Sequence, residues 1–108
     1  MHYRGVIDQA GEKQVIYNEK EIPHVSSTDH DSDTTLDWGY TGRGPLNTAN
    51  SIMDHALGSE SEFVNTRKHT IEFRARFLSS LDAADENWRI SRKEVRDFIR
   101  EQETNSAE

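Results

Sequence analysis

Residues 37–45 read DWGYTGRGP: three glycines, a proline, a tryptophan and a tyrosine in nine positions. Glycine serves where φ is positive or where another part of the chain must come close. Proline directly afterwards suits the first turn of a helix, where its missing N–H costs nothing. The stretch therefore marks a sharp corner into a helix that starts at Pro45 with Gly44 as its N-cap. Two readings compete for it. In one, Trp38 and Tyr40 plug the core, both shielded from water, while Gly39 and Pro45 turn the chain. In the other, Gly42, Arg43, Gly44, Leu46 and Asn47 bind an anion or a nucleotide through backbone N–H groups, the helix dipole and the Arg43 fork. Pro45 removes one such donor, and no Lys-Ser or Lys-Thr pair follows. The spacing G-x-x-G-x-G also differs from the G-x-G-x-x-G of dinucleotide folds. The architectural reading leads.

Beyond the corner, Leu46, Ala49, Ile52, Met53, Ala56 and Leu57 fall on one helical stripe, closed by Gly58 as a left-handed C-cap. Ser59 and Glu62 match a capping box and predict a second helix carrying Phe63, Thr70, Ile71, Phe77, Leu78 and Leu81 on one face, widened by Phe73. The run DAADEN (82–87) breaks it, and WRI (88–90) is a short apolar patch that reads as an edge strand or an extended entry. Ser91 and Glu94 form another capping box, before a last helix with Val95, Phe98 and Ile99 on its apolar stripe.

Before the corner, HYRGVI (2–7) and QVIYN (14–18) are β-rich runs around a polar DQAGEK, which predicts a hairpin. NEKEIP (18–23) makes a second turn, with Glu21 and Ile22 extending the sheet until Pro23 stops it. Residues 24–35, with one apolar side chain among twelve, are expected to be a mobile, solvated acidic loop. The element order predicts an α+β fold: a small antiparallel sheet, the N-terminal hairpin plus one or two short strands, packed against three helices. Residues 1–100 form the expected domain and 101–108 a disordered tail.

The 108 residues include 32% hydrophobic and 31% charged side chains, with a net charge of −7. That balance opposes non-specific binding to nucleic acid or acidic membranes. No stretch reaches the ~20 apolar residues of a membrane span, and the first residues lack a signal-peptide core; a cytoplasmic protein without a membrane partner is expected. The lack of cysteine excludes disulfides and thiolate chemistry. Four lysines stand beside nine arginines and twenty acidic residues. This suits a halophilic, salt-adapted cytoplasm and equally a GC-rich genome that favours arginine codons.

Asp29, Asp31, Asp33 and Asp37 alternate like the start of a calcium loop, but Thr34 and Tyr40 occupy its obligatory glycine and glutamate positions. His24 and His30 flank the acidic run without a ligand spacing, so neither metal nor cofactor is expected. His55, beside Asp54, suits boundary packing. No nucleophile elbow or perturbed carboxylate pair is legible, and the expectation leans away from an enzyme. Arg92, Arg96 and Arg100 recur every four residues on the last helix, a stripe able to touch nucleic acid weakly, though Glu94, Asp97 and Glu101 interleave with it. The leading expectation is a non-enzymatic interaction or accessory domain whose partner is another protein. Anion binding at the corner comes second and nucleic-acid binding third.

The run LDWGYTGRGPLNTANSIMDHALG (36–58), after Tyr3 to Gly5 and Val15 to Ile22, resembles the signature of a small prokaryotic family of unknown function with a WGY-G-x-GP motif. The resemblance continues through Phe73 or Phe77, Trp88, and Ser91 to Ile99. It implies the fold and no activity. This chain departs at Thr41, where the family commonly has glycine, and at Asn47 and Asn50, on a helix that is usually more apolar.

Overall fold

The computed structural model of the chain describes residues 1–28 and 33–106. Among these described residues four strands, β1 (His2–Ile7), β2 (Lys13–Tyr17), β3 (Lys20–Glu21) and β4 (Arg89–Ser91), form one antiparallel sheet in the order β3-β2-β1-β4. Three α-helices, α1 (Arg43–Leu57), α2 (Thr70–Phe73) and α3 (Arg92–Ser106), complete a small α+β fold.

The hairpin closes because Asp8 accepts the N–H groups of Ala10 and Glu12, while Gly11 takes a φ of 84°. The β2–β3 turn places Asn18 and Glu19 at φ 54° and 67°, the paired positive values that a two-residue hairpin turn demands. Tyr3 faces Tyr17 on one side and Ile90 on the other, and Gly5 faces Val15. These residues share the inner face of the sheet. Gly5 is the small member because the Trp88 ring lies over it: a Cβ there would sit 2.2 Å from the indole Nε1. The Trp88 ring in turn meets Trp38 edge-on, 5.0 Å between centroids at 83°.

α1 is the axis of the fold, and it starts two residues before its expected first residue. Gly42, extended at φ −133°, is the N-cap, so Gly44 is helical and Pro45 occupies the third position. Proline is tolerated there because the N–H groups of the whole first turn lack intrahelical partners. Gly58 has the positive φ of its expected role, 58°, but with ψ −124° it leaves the left-handed helical region. Ala49, Ile52, Met53, Ala56 and Leu57 are buried in the core as the stripe predicts.

The second helix is not the continuous element that periodicity suggested. The Ser59–Glu62 box makes no capping bond, and Gly58–Phe63 is a 3₁₀ turn with no buried residue. Val64 is extended, a second 3₁₀ turn spans Thr66–His69, and only then does α2 begin. A short helix is held mainly by its buried face, and this segment has little to bury: Phe63 and Ile71 are 84% and 62% exposed. After α2 the backbone widens into a π turn over Arg74–Leu78, with Ser79 N–H donating to the Arg74 carbonyl at 2.8 Å. Five residues of regular α-helix would point Phe73 and Leu78 about 140° apart. The wide turn brings both fully into the core.

Ser91 and Glu94 do close their capping box reciprocally, at 2.9 and 3.0 Å. α3 then runs on to Ser106, which corrects the expected disordered tail over 101–108 as far as that residue. The cause is tertiary. Glu103 pairs with the buried His69 and with Lys68, and Glu101 pairs with Arg76, so the polar end of the helix is tied to the segment before it.

Candidate functional site

The glycine corner docks on Lys13 and on the segment from Leu78 to Asp85. Trp38 is fully buried and its Nε1 donates to the Asp85 carbonyl at 2.9 Å, while Lys13 sits 5.0 Å over the ring. Gly39, at φ 90°, donates its N–H to the Leu78 carbonyl, and any Cβ there would stand 2.5 Å from the Ala83 backbone nitrogen. The Tyr40 ring folds back across Gly42, where a Cβ would lie 2.3 Å from it, and its hydroxyl reaches Asp37 beside Gly44. Tyr40 is nevertheless 45% exposed, which corrects the expectation that both rings are shielded.

Asp37 is the charged centre of this corner. Its carboxylate takes the Lys13 ammonium and the Trp38 N–H. Burial pushes the Asp37 carboxyl upward, but hydrogen bonds from Lys13, the Trp38 N–H and Tyr40 outweigh it and leave the group below the ordinary carboxylate range. Any Cβ on Gly44 would press against the Cβ of Asp37, so the Asp37 side chain brings a resident anion beside the first turn of α1.

The other proposed anion ligands are placed as follows. Pro45 has no N–H, and Leu46 donates its own to the Gly42 carbonyl. Arg43 is exposed and has a partner within the chain. Asn47 is fully buried: its Oδ1 accepts the Ser27 N–H at 2.8 Å, and its Nδ2 donates to the carbonyls of Asp33 and Thr35, each at 3.1 Å. A hollow of about 470 Å³ beside the corner, between Gly11–Lys13, His24 and Thr34–Asp37, is lined by neither Trp38 nor Tyr40.

Asn47 belongs to a set that sequence reading missed. Thr48 accepts the Asp37 N–H and offers its hydroxyl to the Asp37 and Gly44 carbonyls. Asn50 donates to Ser26 and accepts from Thr66. Ser51 accepts the Val25 N–H at 2.8 Å. All four side chains are buried. They form a polar face of α1 that supplies the excursion 25–37 with the hydrogen bonds a neighbouring strand would otherwise give. The expected solvated loop over 24–35 is therefore corrected in its first arm, where Ser26 and Ser27 are buried; Asp33 and Thr35 in its second arm are exposed, and residues 29–32 lie outside the described residues. The signal was present as NTANS, polar residues on one side of an otherwise apolar helix.

The cationic stripe of α3 is divided. Arg92 Nε and Nη2 donate to the Ala56 carbonyl at 3.2 and 2.9 Å, and Arg96 Nη1 reaches the same oxygen at 2.9 Å. Arg96 Nη2 also grips Glu60. Both guanidinium groups thus serve the C-terminus of α1, where carbonyls lack partners and the dipole favours cations. Arg100 remains 75% exposed, 3.6 Å from Asp97.

Beside this stripe, Tyr3 is fully buried and burial pushes its phenol upward, while burial and then Arg92 push His55 below the ordinary imidazole value of 6.5. The Tyr3 hydroxyl and His55 Nδ1 share a hydrogen bond of 2.9 Å. His55 thus takes a core-edge role, in line with boundary packing. Among the described residues no three His, Asp or Glu side chains are grouped to hold a metal ion; Asp29, His30 and Asp31 lie outside them. No helix among the described residues is long and apolar enough to cross a membrane.

The shifts of His55, Asp37 and Glu103 share one sign. His55, depressed in the fold, loses stabilisation as pH falls through and below the ordinary 6.5, because the unfolded chain then binds the proton more readily. Asp37 is depressed as described, and Glu103 is depressed chiefly by its hydrogen bond from His69; both stabilise above their ordinary values of 3.8 and 4.5 and lose that contribution as pH falls through their lower folded values. Thermal unfolding midpoints are expected to fall in two steps on acidification, the first removed by His55→Gln. A flat profile between neutral pH and about pH 5 would contradict the assignment of His55.

Comparison with known proteins yields one match. The model of a family of unknown function, DUF6166, covers residues 3–101. No curated protein and no solved structure matches the chain.

Proposed function

The chain belongs to DUF6166, a family of unknown function, and from that premise we propose that it is a non-enzymatic accessory domain of the cytoplasm that binds another protein. The observation that carries this reading is Phe63, 84% exposed in a chain with few apolar side chains. Leaving an aromatic ring in water forfeits about 1.5–3 kcal/mol of available burial, and an exposed aromatic is the side chain most suited to anchor an interface. Phe63 precedes Val64, which with Leu57 and Ile99 floors a groove of about 200 Å³ between the 3₁₀ turn and α3. Glu60, Glu103, Arg96 and Arg100 rim it. This lining suits a partner segment that presents an apolar side chain between charges of both signs.

The glycine corner supports the same reading by being engaged within the fold. Gly42 and Gly44 are covered by Tyr40 and Asp37, and Asn47 is held by the excursion. Affinity capture under native salt, with the wild type and Phe63→Ser side by side, tests the proposal. The variant is expected to unfold within about 0.5 kcal/mol of the wild type, as surface substitutions do, and to lose the captured protein. A partner held equally by both, or none held by either, would refute it.

A further inference from the structure

The chain carries a net charge of −7, yet one of its cavities is cationic. About 520 Å³ in volume, it opens between the end of β2 and the first half of α3, where Tyr17, Arg92, Lys93, Arg96 and Arg100 line it and Asp97 is the one acidic side chain in its wall. We propose that this cavity binds a small phosphomonoester.

Two features distinguish it from a merely basic surface. The first is preorganisation. Arg92 and Arg96 are held by the Ala56 carbonyl, and Arg96 also by Glu60, so their guanidinium planes are fixed before any ligand arrives. A guanidinium has five N–H groups, and these bonds use only some of them. Fixed donors spare a ligand the cost of ordering long side chains, and forked guanidinium groups match the oxygens of a phosphate. The second is the shape of the charge. Lys93 is 85% exposed and bonded to Asp97 at 2.7 Å; an exposed, solvent-screened pair of this kind is weak, so a dianion displaces it at little cost. The half-buried Tyr17 offers an organic group a ring to lie against.

The volume lies within the range of small-molecule sites, about 300–1,000 Å³. An extended polyanion is disfavoured, because Glu94, Asp97 and Glu101 interrupt the cations along α3 and the rest of the surface is acidic. Nucleic acid is therefore an alternative outcome and not the proposal.

The test is a titration of the full chain at low salt with phenyl phosphate, with inorganic phosphate and a single-stranded oligonucleotide as comparators, followed by backbone amide shifts. Phenyl phosphate is expected to saturate shifts at residues 91–100 with Kd below about 1 mM, and inorganic phosphate to bind more weakly at the same amides. Lys93→Gln is expected to weaken binding by roughly tenfold and Asp97→Asn to tighten it severalfold, both with unchanged unfolding midpoints, since neither residue caps α1 or lines the groove beside Phe63. Shifts that stay linear to about 10 mM, that centre on Gly42 and Gly44, or that ignore both substitutions would overturn the proposal. So would an oligonucleotide that binds where phenyl phosphate does not. Each result leaves the Phe63 capture experiment independently readable.

Discussion

Trp38→Ala is expected to cost about 3–5 kcal/mol, the usual range for emptying a large aromatic site. Its ring is fully buried and touches three parts of the fold: Trp88 over the sheet, the Asp85 carbonyl of the 79–87 connection, and the Lys13 ammonium. Removing the ring leaves a cavity between Trp88 and the corner and frees Lys13 and Asp37 from the packing that aligns them. Domains of this size have total stabilities of about 5–15 kcal/mol, so the loss approaches the whole for a lean core. Thermal unfolding followed by circular dichroism is expected to show a midpoint lower by on the order of 20 °C, or no folded state. Trp38→Phe retains a ring and loses the hydrogen bond to Asp85, and is expected to fall between the two. A Trp38→Ala protein within a few degrees of the wild type would mean that the corner is not a joint of the fold.

The second large effect is expected at Asn47. Its amide answers three backbone groups, the Ser27 N–H and the carbonyls of Asp33 and Thr35, at a position with no access to water. A buried backbone group left without its partner costs about 1–3 kcal/mol, so Asn47→Ala is expected to destabilise by roughly 3 kcal/mol or more. Asn47→Asp is nearly the same shape and is expected to be worse at neutral pH, because it turns two donors into a buried negative charge facing two carbonyl oxygens. The two substitutions also report on how the excursion is held. Amide exchange at Ser27 and Asp37 is expected to accelerate more than at Tyr3 or Val15, since the bonds of Asn47 secure the excursion and not the sheet. Equal acceleration at all four amides would show that the excursion and the sheet open together.

Much of the architecture was legible because it depends on local chemistry. The hairpin follows from two β-rich runs around a glycine-bearing turn, and the resemblance to a known family was legible from the WGY-G-x-GP stretch. The Ser91–Glu94 box formed as written because both of its bonds close within four residues. The identical pattern at Ser59 and Glu62 failed, since no buried face follows to repay a helix there. Phe63 was expected on an apolar face and lies in solvent instead; periodicity cannot tell an anchor from a core residue when the helix it assumes does not form.

The candidate sites were less legible than the fold. Arg92 and Arg96 recur at a helical spacing, but that spacing does not reveal that the end of α1 lies against them. Asn47 looked like a ligand beside a glycine loop, and its partners lie twelve to twenty residues earlier in the chain.

The amino-acid order by itself determined the strands, the corner, the span of α1 to within two residues and the acidic character of the surface, because turn chemistry, side-chain period and charge act over a few neighbouring residues. Only the tertiary structure decided that α1 is buried on its polar side as well as its apolar one, that the Arg74–Leu78 turn widens to bring Phe73 and Leu78 together, and that the last helix extends to Ser106. Each of these rests on hydrogen bonds, ion pairs or burial between segments distant in the chain, and their free energy exists only once those segments have met.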